Sequence, residues 1–167
     1  MKWFDRKFAL ETPIWLFPNL LERLRGTPLR LEERTRNLSP SICTTKIDEA
    51  SWSIQENVGH LLDLEELWLG RLDDFENKIE TLRAADLQNL KTENSNHNGK
   101  DLKEILVDFR KERGELVMRL ENLSTEKVFT SVFHPRLKKL MTVVDLCFFI
   151  AEHDDHHLAK ITAIKKA

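Results

Sequence analysis

The chain has 167 residues and a mass of 19.6 kDa, the size of a single domain, since one hydrophobic core commonly serves about 100 to 200 residues. Lys and Arg number 26 against 28 Asp and Glu, so the formal charge is −2 and the basic excess of a dedicated nucleic-acid-binding protein is absent. Five glycines, five prolines, no tyrosine and 32% charged residues favour long solvated helices over a turn-rich β-sandwich or barrel. We therefore expect one all-α domain over residues 1–167 that binds no nucleic acid.

Prolines divide the N-terminal segment of the chain. Pro18 cannot lie in a helix interior, so a helix is predicted to begin there and to end at Gly26. A threonine followed by Pro28 has the order of an N-cap and a first helical residue, which predicts a second, short helix over residues 29–37. The Ser-, Pro- and Thr-containing segment 38–51 is predicted to be a connection.

A long helix is predicted to begin at Ser53. Ser53 and Glu56 have the S-x-x-E spacing of a capping box, in which each side chain satisfies a free N–H of the first turn. Apolar residues then recur three or four positions apart, the spacing of a buried helical stripe. The members of this stripe are Ile54, Val58, Leu61, Leu62, Trp68, Leu69, Leu72, Phe75, Ile79 and Leu82.

The helical pattern fails over residues 86–99, where Asn, Ser and Gly accumulate and a loop is predicted. A third helix is predicted over residues 102–123, with Arg113 interrupting its apolar stripe. The dipeptide His134-Pro135 then predicts a turn, because proline biases the preceding residue away from the α conformation.

The last helix is predicted to begin at Thr142, which has capping-box spacing with Asp145, and its apolar face runs to Ile164. The chain thus contains three long amphipathic helices and a shorter first one, without a strand pattern or an internal repeat. This combination predicts an all-α four-helix bundle. The helix over residues 29–37 would be a short extra element near the N-terminus.

Cysteine usage and hydropathy indicate the compartment. Cys43 and Cys147 are too few and too far apart for the disulfide framework of a small secreted domain, and the N-terminal residues lack the apolar stretch of a signal peptide. The most apolar run, 141–151, is too short to cross a bilayer and contains Asp145. We therefore expect a cytoplasmic protein with reduced thiols that does not span a membrane.

Three of the six histidines fall within five positions: His153, His156 and His157. His153 and His157 are four residues apart on the predicted helix, so both can face one metal ion. His157 shares the register of Ile150 and Ile161 and should point inward, whereas His156 should point outward. Two histidines of one helix do not complete a metal site.

A third ligand must come from another element, because catalytic sites commonly combine three protein ligands with one open position. His60 is the candidate, since it lies seven residues after Ser53 on the other strongly apolar helix. Composition and spacing leave two interpretations of His60, His153 and His157. They form a metal site, or they are buried structural residues bonded to carbonyl or carboxylate groups.

The remaining candidates have ordinary structural interpretations as well. Asp154 follows His153 where a zinc-protease motif carries its general base, so it is a candidate for polarising bound water, with a solvated surface charge as the alternative. His97 and His134 are expected to be turn residues. Cys147 is expected to be a small packed hydrophobe rather than a nucleophile.

The histidines also resemble those of a known family. The pattern is a histidine early in the second bundle helix, His60, combined with H-x-x-x-H in the last helix. The Trp-Ser-Ile start of the second helix and the His-Asp-Asp-His-His run make the combination more specific. Together they resemble the DinB/YfiT-like superfamily of metalloenzymes, from Ser51 onward. The residues concerned are 52–65 (WSIQENVGHLLDLE), Trp68, His134-Pro135 and 151–161 (AEHDDHHLAKI). Segment 86–98 also resembles the loop of one subgroup, with no role that we can assign.

The resemblance implies a four-helix bundle of up-down-down-up topology with His60, His153 and His157 as the metal ligands. It also implies a divalent ion, zinc or nickel among those found in relatives, that binds and activates a low-molecular-weight thiol. The thiol is transferred to an electrophile or used in an isomerisation of a small molecule. Relatives are often homodimers, so a homodimer is expected here.

Such chemistry is physically coherent. Three neutral imidazoles leave the ion its full charge, which lowers the pKa of a bound thiol or water and supplies a nucleophile at neutral pH. Zinc, nickel, iron, cobalt and manganese remain open on donor type alone. Glu56 could orient a ligand, although capping is the expected role, and Arg136, Lys138 and Lys139 could attract an anion or simply form a solvated loop.

Two functions follow from these observations. The first is a metal-dependent enzyme, a thiol S-transferase or related hydrolase. The alternative is a non-catalytic, stress-linked bundle in which the ion ties two helices together. An open cleft at the fourth coordination position favours the enzyme, while closure by a side chain such as His97 favours the structural role.

Overall fold

The computed structural model describes residues 3–166. In this part of the chain the helices and strands, in order, are α1 (Phe17–Thr35), α2 (Pro40–Thr44), α3 (Ile54–Asp63), α4 (Glu65–Glu76), α5 (Leu90–Asn94), α6 (Leu102–Glu121), α7 (Thr125–Val128), β1 (Ser131–His134), β2 (Lys139–Thr142) and α8 (Val143–Ile164). Short 3-10 turns occur at Trp3–Asp5, Ile14–Leu16 and His97–Gly99. The chain is mostly helical, as predicted, and within residues 3–166 no helix is long and apolar enough to cross a membrane.

Helix α1 is continuous through Gly26 and Pro28, so the prediction of two helices separated at this point is wrong. Pro28 lacks the N–H that would bond to the carbonyl of Leu24. That carbonyl instead accepts a hydrogen bond from Arg113 Nη1 at 3.4 Å, which compensates for the lost donor. The predicted extra helix over 29–37 is therefore the end of α1, and a short helix, α2, lies in the predicted connection.

The capping box at Ser53 and Glu56 is confirmed, and both of its hydrogen bonds are present. The helix that it opens has one irregularity at Leu64, which separates α3 from α4, yet Leu64 N still donates to His60 O. Helix α4 ends at Glu76, six residues before the predicted end. The second capping box, at the start of α8, is also confirmed.

Two features of the C-terminal half differ from the prediction. The predicted loop over 86–99 contains α5 and a 3-10 turn. Strands β1 and β2 form an antiparallel hairpin in which Ser131 pairs with Thr142 and His134 with Lys139. The hairpin was not predicted because its four-residue strands are too short for an alternating pattern to be recognised. His134 ends β1, at the predicted turn.

Side-chain contacts establish the direction of the long helices. Along α1, Arg23 pairs with Glu152 and, further on, Arg34 O accepts from Lys165, so α1 and α8 run parallel. Against α6 the order is reversed, because Arg25 pairs with Glu121 whereas the later Glu32 pairs with the earlier Arg110. Helices α1 and α6 are therefore antiparallel.

The remaining pairs complete the topology. Glu65 and Glu76 pair with Arg113 and Arg119 respectively, which makes α3–α4 parallel to α6. Asn57 contacts His157 on α8 while the later His60 lies beside the earlier His153, so α3 and α8 are antiparallel. The bundle thus has up-down-down-up topology, as predicted. Because α4 and α6 are parallel neighbours, the connection 77–101 must return along the bundle, which explains its length.

Two apolar clusters fill the bundle on either side of a polar layer. The first lies toward the hairpin end and includes Leu24, Trp68, Leu116 and Ile150, and the second includes Leu31, Leu61, Phe109 and Leu158. Between them, each long helix contributes one buried polar residue: Thr27, Glu65, Arg113 and Asp154. The Arg113 guanidinium donates to the carboxylates of Glu65 and Asp154, and the Thr27 hydroxyl donates to Asp154. Arg113 interrupts the apolar stripe of α6 because it pairs with these two buried carboxylates.

Candidate metal centre

The structure brings His60 on α3 together with His153 and His157 on α8. One ring nitrogen of each lies within 4.8 Å of one ring nitrogen of the other two. The ring centroids are 4.6 to 5.3 Å apart, and all three side chains are buried. Among the described residues, no further His, Cys, Asp or Glu belongs to this cluster, so the side chains present three nitrogen donors and no fourth ligand.

A hydrogen bond to Asn57 fixes the orientation and tautomer of His157. Nδ1 of His157 lies 2.8 Å from Oδ1 of Asn57. The Asn57 amide nitrogen donates to the backbone carbonyls of Ser53 and Trp52, which leaves Oδ1 as an acceptor only. His157 must therefore carry its hydrogen on Nδ1, and its Nε2 lone pair is free for a metal ion.

His60 is oriented by a chain of polar groups that leads away from the cluster. Its Nδ1 lies 3.0 Å from the Thr92 hydroxyl, which donates its own hydrogen to Asp63 at 2.9 Å. Since Thr92 has only one hydrogen, it must accept from Nδ1–H of His60, and Nε2 is again free. The same Asp63 oxygen accepts from Nε2 of His97 at 2.8 Å.

Aromatic packing, rather than a hydrogen bond, positions His153. Its Nδ1 is buried without a hydrogen-bond partner among residues 3–166. The Trp3 ring lies 4.9 Å away, at 81° to the imidazole, and the Trp68 ring lies 6.1 Å away, at 67°. The position of the imidazole therefore depends on van der Waals contact with neighbouring indoles.

Burial keeps the three imidazoles neutral. It lowers the pKa of His60 to about 4, although Asp63 opposes the shift. Burial, followed by the neighbouring histidines, lowers the pKa values of His153 and His157 well below 6.5. Neutral imidazole is the form that binds metal ions, so the site is ready to accept a cation at neutral pH. The donor set, the two fixed tautomers and the protonation states all fit a divalent metal.

The cluster faces an open cavity of about 640 Å³. Three tryptophans, Trp3, Trp52 and Trp68, form part of its wall together with Phe149. The ring of Trp52, which lines the cavity, lies 4.6 Å from the ring of His60, so this histidine also packs against an indole. A cavity of this volume, with apolar walls and a few polar groups, is typical of a small-molecule site.

The other histidines differ from expectation in part. His156 does not point out into solvent as predicted; it is half-buried, lines the cavity and has Nδ1 3.2 Å from Nη2 of Arg6. His97 begins a 3-10 turn, in agreement with its predicted turn position, but it is buried against Asp63 and lies outside the three-histidine cluster. His134 ends a strand, is buried and also lines the cavity.

Asp154 is neither a solvated surface charge nor a cavity residue. It is 0% exposed, its carboxylate pairs with Arg113 at 2.5 Å and it accepts a hydrogen bond from Thr27 at 2.7 Å. Glu56 caps its helix, as expected. Cys147 is packed in the core, as expected, and burial raises the pKa of its thiol to about 12.

Of the predicted basic group, only Arg136 lines the cavity; Lys138 and Lys139 are exposed. Sequence reasoning missed Asn57 and Thr92. Asn57 lies three residues before His60 on one helix, and that proximity was an available signal. Thr92 lies 32 residues away from His60 in the chain, and no local pattern connects the two.

Fold and site together define a class: a four-helix bundle of up-down-down-up topology that gathers three histidines from its second and last long helices. The chain belongs to the DinB superfamily, whose sequence profile matches residues 23–161. No curated protein sequence matches the chain.

Several solved structures share the fold. YfiT from Bacillus subtilis, described as a probable metal-dependent hydrolase with an unusual four-helix bundle topology, is 18% identical, with a TM-score of 0.84 over 96% of this chain and 92% of that one. A mycothiol-dependent maleylpyruvate isomerase is 9% identical, with a TM-score of 0.70 over 96% of this chain and 63% of its own. The colibactin self-resistance protein ClbS, solved in complex with double-stranded DNA, is 14% identical, with a TM-score of 0.65 over 90% and 96%.

Proposed function

We propose that this protein is a divalent-metal-dependent enzyme in which His60, His153 and His157 hold the ion. The observation that carries the proposal is the convergence of three neutral imidazoles, on two helices, at the wall of an open cavity. Buried structural histidines would instead be expected to use both ring nitrogens in hydrogen bonds, whereas here the bonded nitrogen of His60 and of His157 is Nδ1 and the other remains free.

The open cavity favours catalysis over a purely structural metal. Structural zinc sites are closed by four protein ligands, whereas catalytic sites keep a position for water or substrate. Here the fourth side stays accessible, and His97, the side chain that could have closed it, is engaged by Asp63. When bound, a divalent ion at this position supplies Lewis acidity, lowering the pKa of a water or thiol.

The chain's own residues perform three tasks in this proposal. Asn57 and Thr92 hold two imidazoles in the tautomer that presents Nε2 to the cavity. The indoles of Trp3 and Trp52 exclude bulk water from one side of the site, which strengthens electrostatic interactions there. The cavity accepts a small molecule, which is the class of substrate we propose.

We propose two reaction types for this site, thiol S-transfer and hydrolysis. The first follows the family resemblance and the mycothiol dependence of one structural neighbour; the second follows the description of YfiT. In both, a nucleophile of low intrinsic acidity must be deprotonated near neutral pH, and three histidines around zinc or nickel suit that task. We also propose a homodimer, as in relatives, which light scattering during gel filtration would test.

Metal content tests the proposal most directly. The untagged protein should contain close to one equivalent of divalent metal per chain by plasma mass spectrometry, and His153→Ala should lose most of it. The matched control is His156→Ala, which removes a neighbouring histidine of the same helix that lines the cavity but is outside the trio. Metal retained in His153→Ala, or lost equally from both variants, would contradict the assignment.

Activity distinguishes the enzyme from the non-catalytic alternative. The metal-loaded protein should transfer a low-molecular-weight thiol to a model electrophile, or hydrolyse a model amide or ester, and chelation should abolish the reaction. If the metal raises the melting temperature but neither reaction occurs over a broad substrate panel, the structural role in which the ion joins α3 to α8 is the correct one.

A further inference from the structure

The cavity that the three histidines face is also lined by Arg71, which is buried without a salt bridge to a carboxylate among the described residues. The side chain is 1% exposed, and its Nε donates to the backbone carbonyl of Arg83 at 3.2 Å. Its guanidinium carbon lies 5.5 Å from the Trp68 ring. Among the described residues, its Nη atoms have no hydrogen-bond acceptor and no salt bridge, although a buried guanidinium is normally paired.

Two further donors, Arg136 and His134, line the same cavity, and both lie about 6 Å from the Phe149 ring, which itself lies 6.1 Å from Trp68. The guanidinium of Arg136 packs over Phe149 and Phe4, at 5.8 and 5.4 Å, and forms no salt bridge within residues 3–166. His134 accepts backbone N–H groups at Nδ1, from Arg136 and Leu137, so its hydrogen lies on Nε2. That Nε2 is buried without a partner. Burial, reinforced by the nearby arginines, lowers the pKa of His134 to about 3, so the ring is a neutral donor.

The charges that line the cavity are unbalanced. Lys160 adds a third cation, stacked over Trp52. Asp86 is the lining carboxylate, but its oxygens already accept the backbone N–H groups of Gln88 and Leu90. Three cations and one carboxylate therefore line the cavity, while the Nη atoms of Arg71 and Nε2 of His134 have no acceptor among the described residues. An anionic group of a molecule that enters the cavity would supply that acceptor.

We propose that Arg71, Arg136 and His134 form an oxyanion subsite that binds a carboxylate or phosphate group of the substrate. The inference rests on the proposed function, because it identifies the substrate of the same cavity as an anion. Trp68 separates this subsite from the histidines: its ring lies 5.5 Å from the Arg71 guanidinium and 6.1 Å from the His153 ring. A substrate anchored at its anionic end would extend along this indole toward the metal.

Direct binding measurements test the subsite without relying on activity. The probe is 3-phenylpropionate, compared with 3-phenylpropanamide, which has the same shape without the charge, and with phenyl phosphate. Calorimetric titrations use the full chain in zinc-loaded and metal-free forms. The metal-free titration matters because a carboxylate could also bind zinc directly.

We expect the carboxylate to bind the metal-free protein at least tenfold more tightly than the amide. Arg71→Gln and Arg136→Gln should each weaken carboxylate binding at least tenfold, the effect of losing one charge-assisted hydrogen bond. The control Lys138→Gln removes an exposed cation of the same hairpin and should leave binding unchanged. If phenyl phosphate binds more tightly than the carboxylate and responds to the same variants, the subsite is confirmed and its natural ligand is a phosphate.

Equal affinity for the carboxylate and the amide would overturn the inference, as would unchanged carboxylate binding in folded Arg71→Gln and Arg136→Gln. Arg136 is half-buried on the hairpin, so its variant should fold even where a substitution of the buried Arg71 does not. Zinc stoichiometry is measured on the same samples. Normal zinc content with no oxyanion preference would reject the subsite alone, whereas absent zinc with intact oxyanion binding would reject the metal assignment alone.

Discussion

Replacing Thr92 by valine tests the contribution of the Thr92 hydroxyl, which bonds to both His60 and Asp63, to metal binding. Valine has nearly the same shape as threonine, but it cannot accept from Nδ1–H of His60 or donate to Asp63. In the variant, the buried Nδ1–H of His60 has no acceptor. The imidazole must either keep an unsatisfied N–H or move its hydrogen to Nε2, the atom that should bind the metal.

Two independent estimates give the expected magnitude. Leaving a buried donor unsatisfied costs about 1–3 kcal/mol, and every 1.4 kcal/mol is about a tenfold change in an equilibrium constant, which gives a loss of about 5- to 150-fold. Loss of a hydrogen bond that orients a metal-binding histidine typically costs about 10- to 100-fold in metal affinity. We therefore expect Thr92→Val to bind zinc about 10- to 100-fold more weakly than the wild type.

Competition with a chromophoric chelator at pH 7.5 measures this affinity. The matched control is Thr162→Val, which removes a threonine hydroxyl that bonds only to a carbonyl of its own helix. Zinc binding within twofold of wild type in Thr92→Val, in a protein with an unchanged circular dichroism spectrum, would refute the role assigned to the Thr92–His60 hydrogen bond. An equal loss in Thr162→Val would show that the effect is not specific.

Three further predictions concern stability, pH and partners. Arg113→Met leaves the carboxylates of Asp154 and Glu65 buried without their cation, so it should lower the free energy of unfolding by about 3–5 kcal/mol. The melting temperature, measured calorimetrically, should fall by about 6–20 °C, and a change below 2 °C would contradict the buried ion pairs. Burial lowers the pKa of His60 to about 4, so below pH 6.5 the unfolded chain binds more protons than the folded chain. The free energy of unfolding should therefore be highest above pH 6.5. Between pH 6.5 and 4 it should fall by about 1.4 kcal/mol per pH unit for each such histidine. Urea unfolding of the metal-free protein at pH 7.5, 6 and 5 checks this, and a flat profile would be inconsistent with neutral buried imidazoles. Fluorescence anisotropy with double-stranded DNA at 150 mM salt should show no binding, unlike the complex formed by ClbS, whereas salt-sensitive binding would reverse our prediction about nucleic acid.

The features that depend on residues close together in the sequence were predicted correctly. Both capping boxes depend on side chains three residues apart, and both are present in the structure. The register of α8 likewise depends only on helical periodicity, which placed His153 and His157 on one face and oriented His157 inward. The stripe that begins at Ser53 placed His60 near the interior for the same reason.

Features that depend on distant contacts could not be predicted. The passage of α1 through Pro28 depends on Arg113, whose guanidinium reaches the Leu24 carbonyl from another helix. The burial of His97 depends on Gly59, because a Cβ at that position would overlap the His97 ring. The identity of residue 59 permits this approach, but nothing in the local sequence connects it with a residue 38 positions later.

The interrupted apolar stripe of α6 was an informative signal that sequence reasoning left unexplained. Arg113, which interrupts it, and Arg71 on α4 are both buried, but the structure gives the two arginines opposite environments. Arg113 has two carboxylates, Glu65 and Asp154, whereas Arg71 has one backbone carbonyl. The sequence pattern alone cannot distinguish a core arginine that has carboxylate partners from one that has none, because such partners come from other helices.

Arg113, the paired arginine, also bears on how the candidate metal site is assembled. Arg113 on α6 contacts Asp154 on α8, Glu65 on α4 and the Leu24 carbonyl on α1, so one guanidinium joins all four long helices. Apolar layers tolerate small sliding of one helix along another. The Arg113 guanidinium does not, because a shift would leave buried charges unpaired at a cost of several kcal/mol.

That constraint acts directly on the face of α8 that carries His153 and His157. Consecutive helical residues differ by about 100° around the axis, so Asp154 points into the bundle while the adjacent His153 faces the cavity. Fixing the carboxylate against Arg113 therefore also fixes the rotation and height of the imidazole. We infer that the buried ion pair sets the level at which the α8 histidines meet His60, so that this charged core layer positions the site in addition to its effect on stability.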